Sequence, residues 1–100
     1  MIRHIVFFSV AEGQDVADVQ KRLMMLAQIP QARHFEVTQN IRHDTIAGPH
    51  VDLVVYGEFD DLAALEAFKA DPIYDRCTAN VRPLRDLRIA ADVEAAAPAG

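Results

Sequence analysis

IRHIVFFSV, residues 2–10, is apolar on both sides of the β-strand that its composition marks. Alternate residues of a strand point to opposite faces, so Ile2, His4, Val6, Phe8 and Val10 form one row, and Arg3, Ile5, Phe7 and Ser9 the other. A single layer of helices covers one row only. The second row needs a separate cover, and the rest of the chain decides what supplies it.

Downstream, GQDVADVQKRLMMLAQIP (13–30) sets Val16, Val19, Leu23 and Leu26 at helical spacing, with Asp15 as N-cap and Pro30 beyond the end. HFEVTQNIRH (34–43) then alternates Phe35, Val37, Gln39 and Ile41 against Glu36, Thr38 and Asn40. After a polar turn containing Gly48 and Pro49, VDLVVYGEF (51–59) puts Val51, Leu53, Val55, Gly57 and Phe59 in one row and leaves Val54 and Tyr56 in the other. These two strands read as an antiparallel hairpin. A second helix follows with Leu62, Leu65 and Phe68 in register and an acidic N-terminus suited to the helix dipole. Asp71 and Pro72 end it and suit the start of a further short helix carrying Ile73, Cys77 and Val81. DLRIAADVE (86–94) reads as the last strand, and the small-residue tail 95–100 as flexible.

The order β-α-β-β-α-β is the split pattern of ferredoxin-like α+β folds, a four-stranded antiparallel sheet with helices on one face, here spanning residues 1–94. On that layout Ile5, Phe7, Val54 and Tyr56 face water unless a second sheet covers them. Each such side chain contributes roughly 1.5–3 kcal/mol when fully buried, against a net stability of only ~5–15 kcal/mol. A twofold partner is the simplest cover, because one patch then meets its own copy. The expectation is a homodimer with sheet facing sheet.

Composition narrows the classes of function. The formal charge is −5 and no basic stretch is interleaved with aromatics, which argues against nucleic acid and anionic membranes as partners. The N-terminal apolar run lacks a small-residue cleavage site and is far too short to span a bilayer. Cys77 is the single cysteine, which fits a reducing cytoplasm, and its apolar helical setting reads as a buried structural thiol. No glycine-rich phosphate cradle, nucleophile elbow, HExxH helix or paired-cysteine site is present, so no cofactor is implied. His43, Asp44 and His50 cluster in the hairpin connection, but their spacing matches no established metal site and they read as a solvated loop.

The segments IRHIVFF, IPQARHFEVTQN, VDLVVYGEFDD, ALEAFKADPIY and VRPLRDLRIAADVE, in this order and spacing, resemble the stress-responsive dimeric α/β barrel (Dabb) family over nearly the whole chain. The resemblance implies small ferredoxin-like subunits whose sheets pair into a barrel, with many members of unassigned activity. It also implies a pocket between sheet and helices, used by a plant polyketide cyclase of the family for an aldol ring closure. By that likeness His4 matches a histidine of strand one. The cyclase's catalytic tyrosine falls on Phe68, its catalytic histidine on Tyr74 and a further pocket histidine on Leu53. Its acid–base pair is not kept, so ring closure by the same pair is not expected.

The residues themselves make His4 the sharpest candidate, since burial favours the neutral imidazole, which can accept or donate a proton. The competing reading is a core histidine satisfied by a neighbouring hydroxyl. Tyr74 supplies a phenol that acts as proton donor or orients a ligand carbonyl. Arg88 shares a row with Ala90 and Asp92; it either holds a ligand carboxylate or is an edge-strand arginine in water, or one paired with Asp52 or Asp92. Gly57 and Ala90 leave room for a cavity or for close packing. The candidate ligand site is therefore His4, Leu53, Phe68, Tyr74 and Arg88, with His4 and Tyr74 as the catalytic pair if the protein is an enzyme. Two functions follow from it: a barrel protein that binds a small apolar or aromatic molecule, or an enzyme acting on a polyketide-like or aromatic substrate. Cofactor-free oxygenation is a third, by fold analogy alone.

Overall fold

In the computed structural model, which describes residues 1–96, the strands are β1 (Ile2–Val10), β2 (His34–Gln39), β3 (Leu53–Phe59) and β4 (Arg85–Glu94). The helices are α1 (Val16–Leu23), α2 (Leu62–Ala70) and α3 (Pro72–Val81). All strand pairings are antiparallel, in the order β2-β3-β1-β4. The expected ferredoxin-like architecture is therefore the observed one.

Local chemistry sets the helix limits. Asp15 accepts a hydrogen bond from the Ala17 amide at 3.2 Å, Asp61 from Ala64 at 2.8 Å and Asp71 from Ile73 at 2.9 Å, each satisfying an orphan donor of a first turn. Pro72 opens α3 where its missing N–H costs nothing. The first helix is shorter than its apolar rhythm suggests: after Leu23 the chain tightens into a 3₁₀ turn over Met24–Gln28. Pro30 holds Ile29 out of the helical region, so the last turn closes with an Ile29 N–H to Leu26 carbonyl bond of 3.1 Å.

The core lies between the helices and one sheet face. Ile2, Val6 and Phe8 of β1 and Leu53, Val55 and Phe59 of β3 pack with Val19 and Leu23 of α1, Leu65 and Phe68 of α2, and Cys77 and Val81 of α3. Among the described residues nothing covers the opposite sheet face. Phe7 is 37% exposed there, with Ile89 at 51% and Val93 at 43%, while Ile5, Val54 and Tyr56 are half-buried. Strand β4 adds Ile89 and Val93 opposite Phe7 and Arg3, extending the apolar patch beyond the four residues expected.

One expectation at the hairpin is corrected, and of the two readings of Gly57 the structure takes close packing. Ile41 does not continue β2 but is 89% exposed in the connection. The Asn40 side-chain carbonyl accepts the Arg42 amide at 2.8 Å, its amide group donates to the Val51 carbonyl at 2.8 Å, and Arg42 takes a left-handed φ of 57°. That turn ends the strand. Gly57 does not leave a cavity: a Cβ there would stand 3.0 Å from the Phe59 ring, so the missing side chain makes room for an aromatic. The expected flexible tail falls mostly outside the described residues, at 97–100, and its first residue, Ala95, donates to the Met1 carbonyl at 2.8 Å.

Candidate functional site

Inner-row side chains of β1 face α2 and α3, and the antiparallel register sets His4 of β1 directly opposite Asp92 of β4. His4 is 2% exposed and its Nδ1 is hydrogen-bonded to the Asp92 carboxylate. A carboxylate only accepts, so Nδ1 carries the proton and Nε2 holds a lone pair. Among the described residues Nε2 has no hydrogen-bond partner. Burial pushes the His4 pKa below its ordinary value; the bond and charge of Asp92 resist, and the Lys69 and Arg88 charges add to the fall. His4 is thus a neutral imidazole with a basic nitrogen to spare.

Two spaces that share part of their lining lie on this side of the sheet, and the smaller one reaches His4. The inner one is about 30 Å³ and is lined by His4, Val6, Val55, Phe68 and Leu26. Phe8, Tyr74, Thr78 and Arg88 line both it and an outer cleft of about 380 Å³, whose remaining walls include Asp75, Val81, Arg82 and Arg85. A void of the inner size holds a water molecule or a carbonyl oxygen, not an aromatic ring. The outer cleft has ligand dimensions.

Of the expected site residues, the fold brings His4, Phe68, Tyr74 and Arg88 together at these spaces. Phe68 is fully buried and stacks edge-on against Tyr74 at 5.7 Å between centroids and against Phe59 at 5.0 Å, so it forms a wall. Leu53 lines neither space: it pairs with Phe8 along the sheet and is fully buried in the core. Arg88 is exposed and bonds neither Asp52 nor Asp92, because Arg42 and His50 hold Asp52 while His4 and Lys69 meet Asp92. His4 is satisfied by a carboxylate rather than by a hydroxyl.

Sequence reading left out Asp92 as a site residue, and also Thr78, Arg82 and Arg85. Asp92 becomes legible only from the strand register, and Thr78 from its place one turn after Tyr74 on α3. Cys77 is buried, within 3.6 Å of the Arg22 carbonyl, and burial pushes its thiol up to about 11, away from reactive thiolate chemistry. In the hairpin connection His50 meets Asp52 at 2.7 Å and Asp44 accepts the Ile46 amide at 2.8 Å. No cluster of three metal-ligating groups forms among the described residues, and none of their helices is long and apolar enough to cross a membrane.

A small ferredoxin-like subunit with a sheet–helix cleft is the class that fold and site define. The model of the stress responsive A/B barrel domain matches residues 2–95, and the chain belongs to that family. Solved structures share the fold at low identity. A protein from Arabidopsis thaliana matches at a TM-score of 0.83 and 12% identity, covering 99% of both chains. A dimeric ferredoxin-like protein of unknown function from Thermobifida fusca matches at 0.75 and 23%, covering 92% of this chain and 88% of that one. A Dabb family protein from Mesorhizobium loti matches at 0.74 and 21%, covering 99% and 97%. No curated protein matches the chain.

Proposed function

We propose that this protein is a homodimer, paired through the open sheet face, that binds a small, partly apolar molecule in the cleft between β4 and α3. The ligand reading is carried by one observation: a buried His4, held by Asp92, lines a small space that shares Phe8, Tyr74, Thr78 and Arg88 with a ligand-sized cleft. The paired sheets are supported by the exposure of Phe7, Ile89 and Val93 on one continuous face. The lone buried Cys77 suits a reducing cytoplasm. Residues 1–94 form the domain in this reading.

Thermal-shift and NMR screening against small aromatic and alicyclic compounds tests the site. Binders raise the melting temperature by mass action and move the resonances of Tyr74 and Thr78, and His4→Ala weakens them. A screen whose hits all ignore the His4→Ala exchange removes His4 from the site. Sedimentation tests the dimer: the wild type runs as two chains and Phe7→Asp with Ile89→Asp as one. A wild-type protomer at every concentration defeats the dimer reading.

A second reading, proton transfer on the bound molecule, is favoured by the free lone pair of His4 Nε2. His4 serves as the base and the Tyr74 phenol donates to a developing oxyanion. With the His4 midpoint below 6.5, the rate is flat above that pH and falls only in acid. A rate that instead climbs between pH 7 and 9 counts against His4.

A further inference from the structure

The outer cleft carries a charge pattern that the protein as a whole does not. The chain has a net charge of −5, with ten lysines and arginines. Four of these, Arg22, Arg33, Arg42 and Lys69, form ion pairs with aspartates. Of the other six, Arg82, Arg85 and Arg88 gather on the walls of the outer cleft, which shares Phe8, Tyr74, Thr78 and Arg88 with the space beside His4, and the single acid on those walls is Asp75. Among the described residues none of the three guanidiniums is in an ion pair. Arg85 donates only to the Asp86 carbonyl, at 3.3 Å, and guanidiniums without a counter-ion that line one concave site raise the local concentration of anions. Their planar forks match a carboxylate.

The geometry points to a ligand that is a small organic acid, its carboxylate held by Arg82, Arg85 and Arg88 and its apolar body lying against Phe8, Tyr74 and Val81. This deepens the ligand-binding reading above and rests on it. The lining sets the orientation, because Arg82 and Arg85 border only the outer cleft and His4 only the inner space. A ring or short alkyl body fits the outer cleft, at about 380 Å³, and only a single small group such as a carbonyl oxygen or hydroxyl enters the inner space of about 30 Å³ beside His4. The acid end stays at the arginines and the other end reports to the imidazole.

NMR titration of the isotope-labelled protein with matched pairs tests the inference: benzoate and benzamide, cyclohexanecarboxylate and its amide, hexanoate and hexanamide. At low salt the acids bind at least about tenfold more tightly than their amides, the yield of one charge-assisted hydrogen bond. The gap narrows as salt is added. The Arg85→Gln, Arg88→Gln double variant, which leaves only Arg82, removes most of each acid's advantage over its amide, and since Arg88 is exposed and Arg85 half-buried the core is untouched. Acids and amides binding alike in the wild type overturn this inference while the cleft reading stands, as does full acid affinity in the double variant. If neither series moves the cleft resonances, both readings fall.

Discussion

Two histidine–aspartate contacts brace this sheet, and they are built opposite ways round. At His4–Asp92 the imidazole is 3% exposed and the carboxylate 33%; at His50–Asp52 the carboxylate is 6% exposed and the imidazole 49%. The buried member of each pair meets different company. His4 has one acceptor and two nearby cations, so burial keeps it neutral. Burial alone would push the Asp52 pKa up, opposite to its effect on His4, but the Val10 amide at 2.7 Å, His50 and the Arg42 guanidinium at 2.5 Å outweigh it and hold the carboxylate below its usual range. One pair leaves a nitrogen free for a ligand. The other spends its oxygens on fastening the β2–β3 connection to β1.

The comparison breaks most visibly by removing the fastener. Asp52→Ala strips the half-buried Val10 amide of its acceptor and leaves Arg42 and His50 without their shared partner, and it costs about 1–3 kcal/mol in urea unfolding. His50→Ala removes a half-exposed partner and costs roughly 0–1 kcal/mol. Equal losses in the two variants would mean that the ion pair, not the bond to the Val10 amide, fastens the connection.

Acid separates the two pairs along the pH axis. For both buried groups the folded-state pKa lies below the unfolded one, so between the two values the unfolded chain binds more protons and stability falls as pH falls. The His4 contribution is complete above about pH 6.5 and is lost below it; the Asp52 contribution is complete above about 3.8 and is lost only in stronger acid. Urea midpoints against pH therefore descend in two steps. His4→Gln removes the upper step and leaves the lower. A variant that keeps the upper step assigns it to another group.

How much of this was readable in advance follows from what each feature depends on. The strand and helix order, the caps at Asp15 and Asp71 and the bare row containing Phe7 depend on neighbours in sequence, and the periodicity carries them. Asp92 is 88 residues from His4, and only the β1–β4 register brings it opposite. In the sequence Asp52 offers itself only as a partner for Arg88, because the Val10 amide that it accepts lies 42 residues away. Leu53 belonged to the correct row but to its far end, level with Phe8, where the core closes over it. The row is legible from alternation; the position along it is not.

The charges around the buried imidazole sharpen the contrast by the smallest effects. Asp92 raises the His4 pKa through its bond and its charge, whereas Lys69, 3.9 Å from Asp92, lowers it through space. Asp92→Asn keeps an acceptor for the Nδ1 proton and removes the charge, so the His4 midpoint in an NMR titration moves further down. Lys69→Gln moves it up by a smaller step, because that ammonium is 38% exposed and salt screens it. Added salt then erases the Lys69 step before the Asp92 one, since the carboxylate touches the ring and the ammonium does not. A downward move in Lys69→Gln would mean that the lysine acts by holding Asp92 in place against the imidazole, and that the electrostatic ordering around His4 is set by geometry rather than by charge.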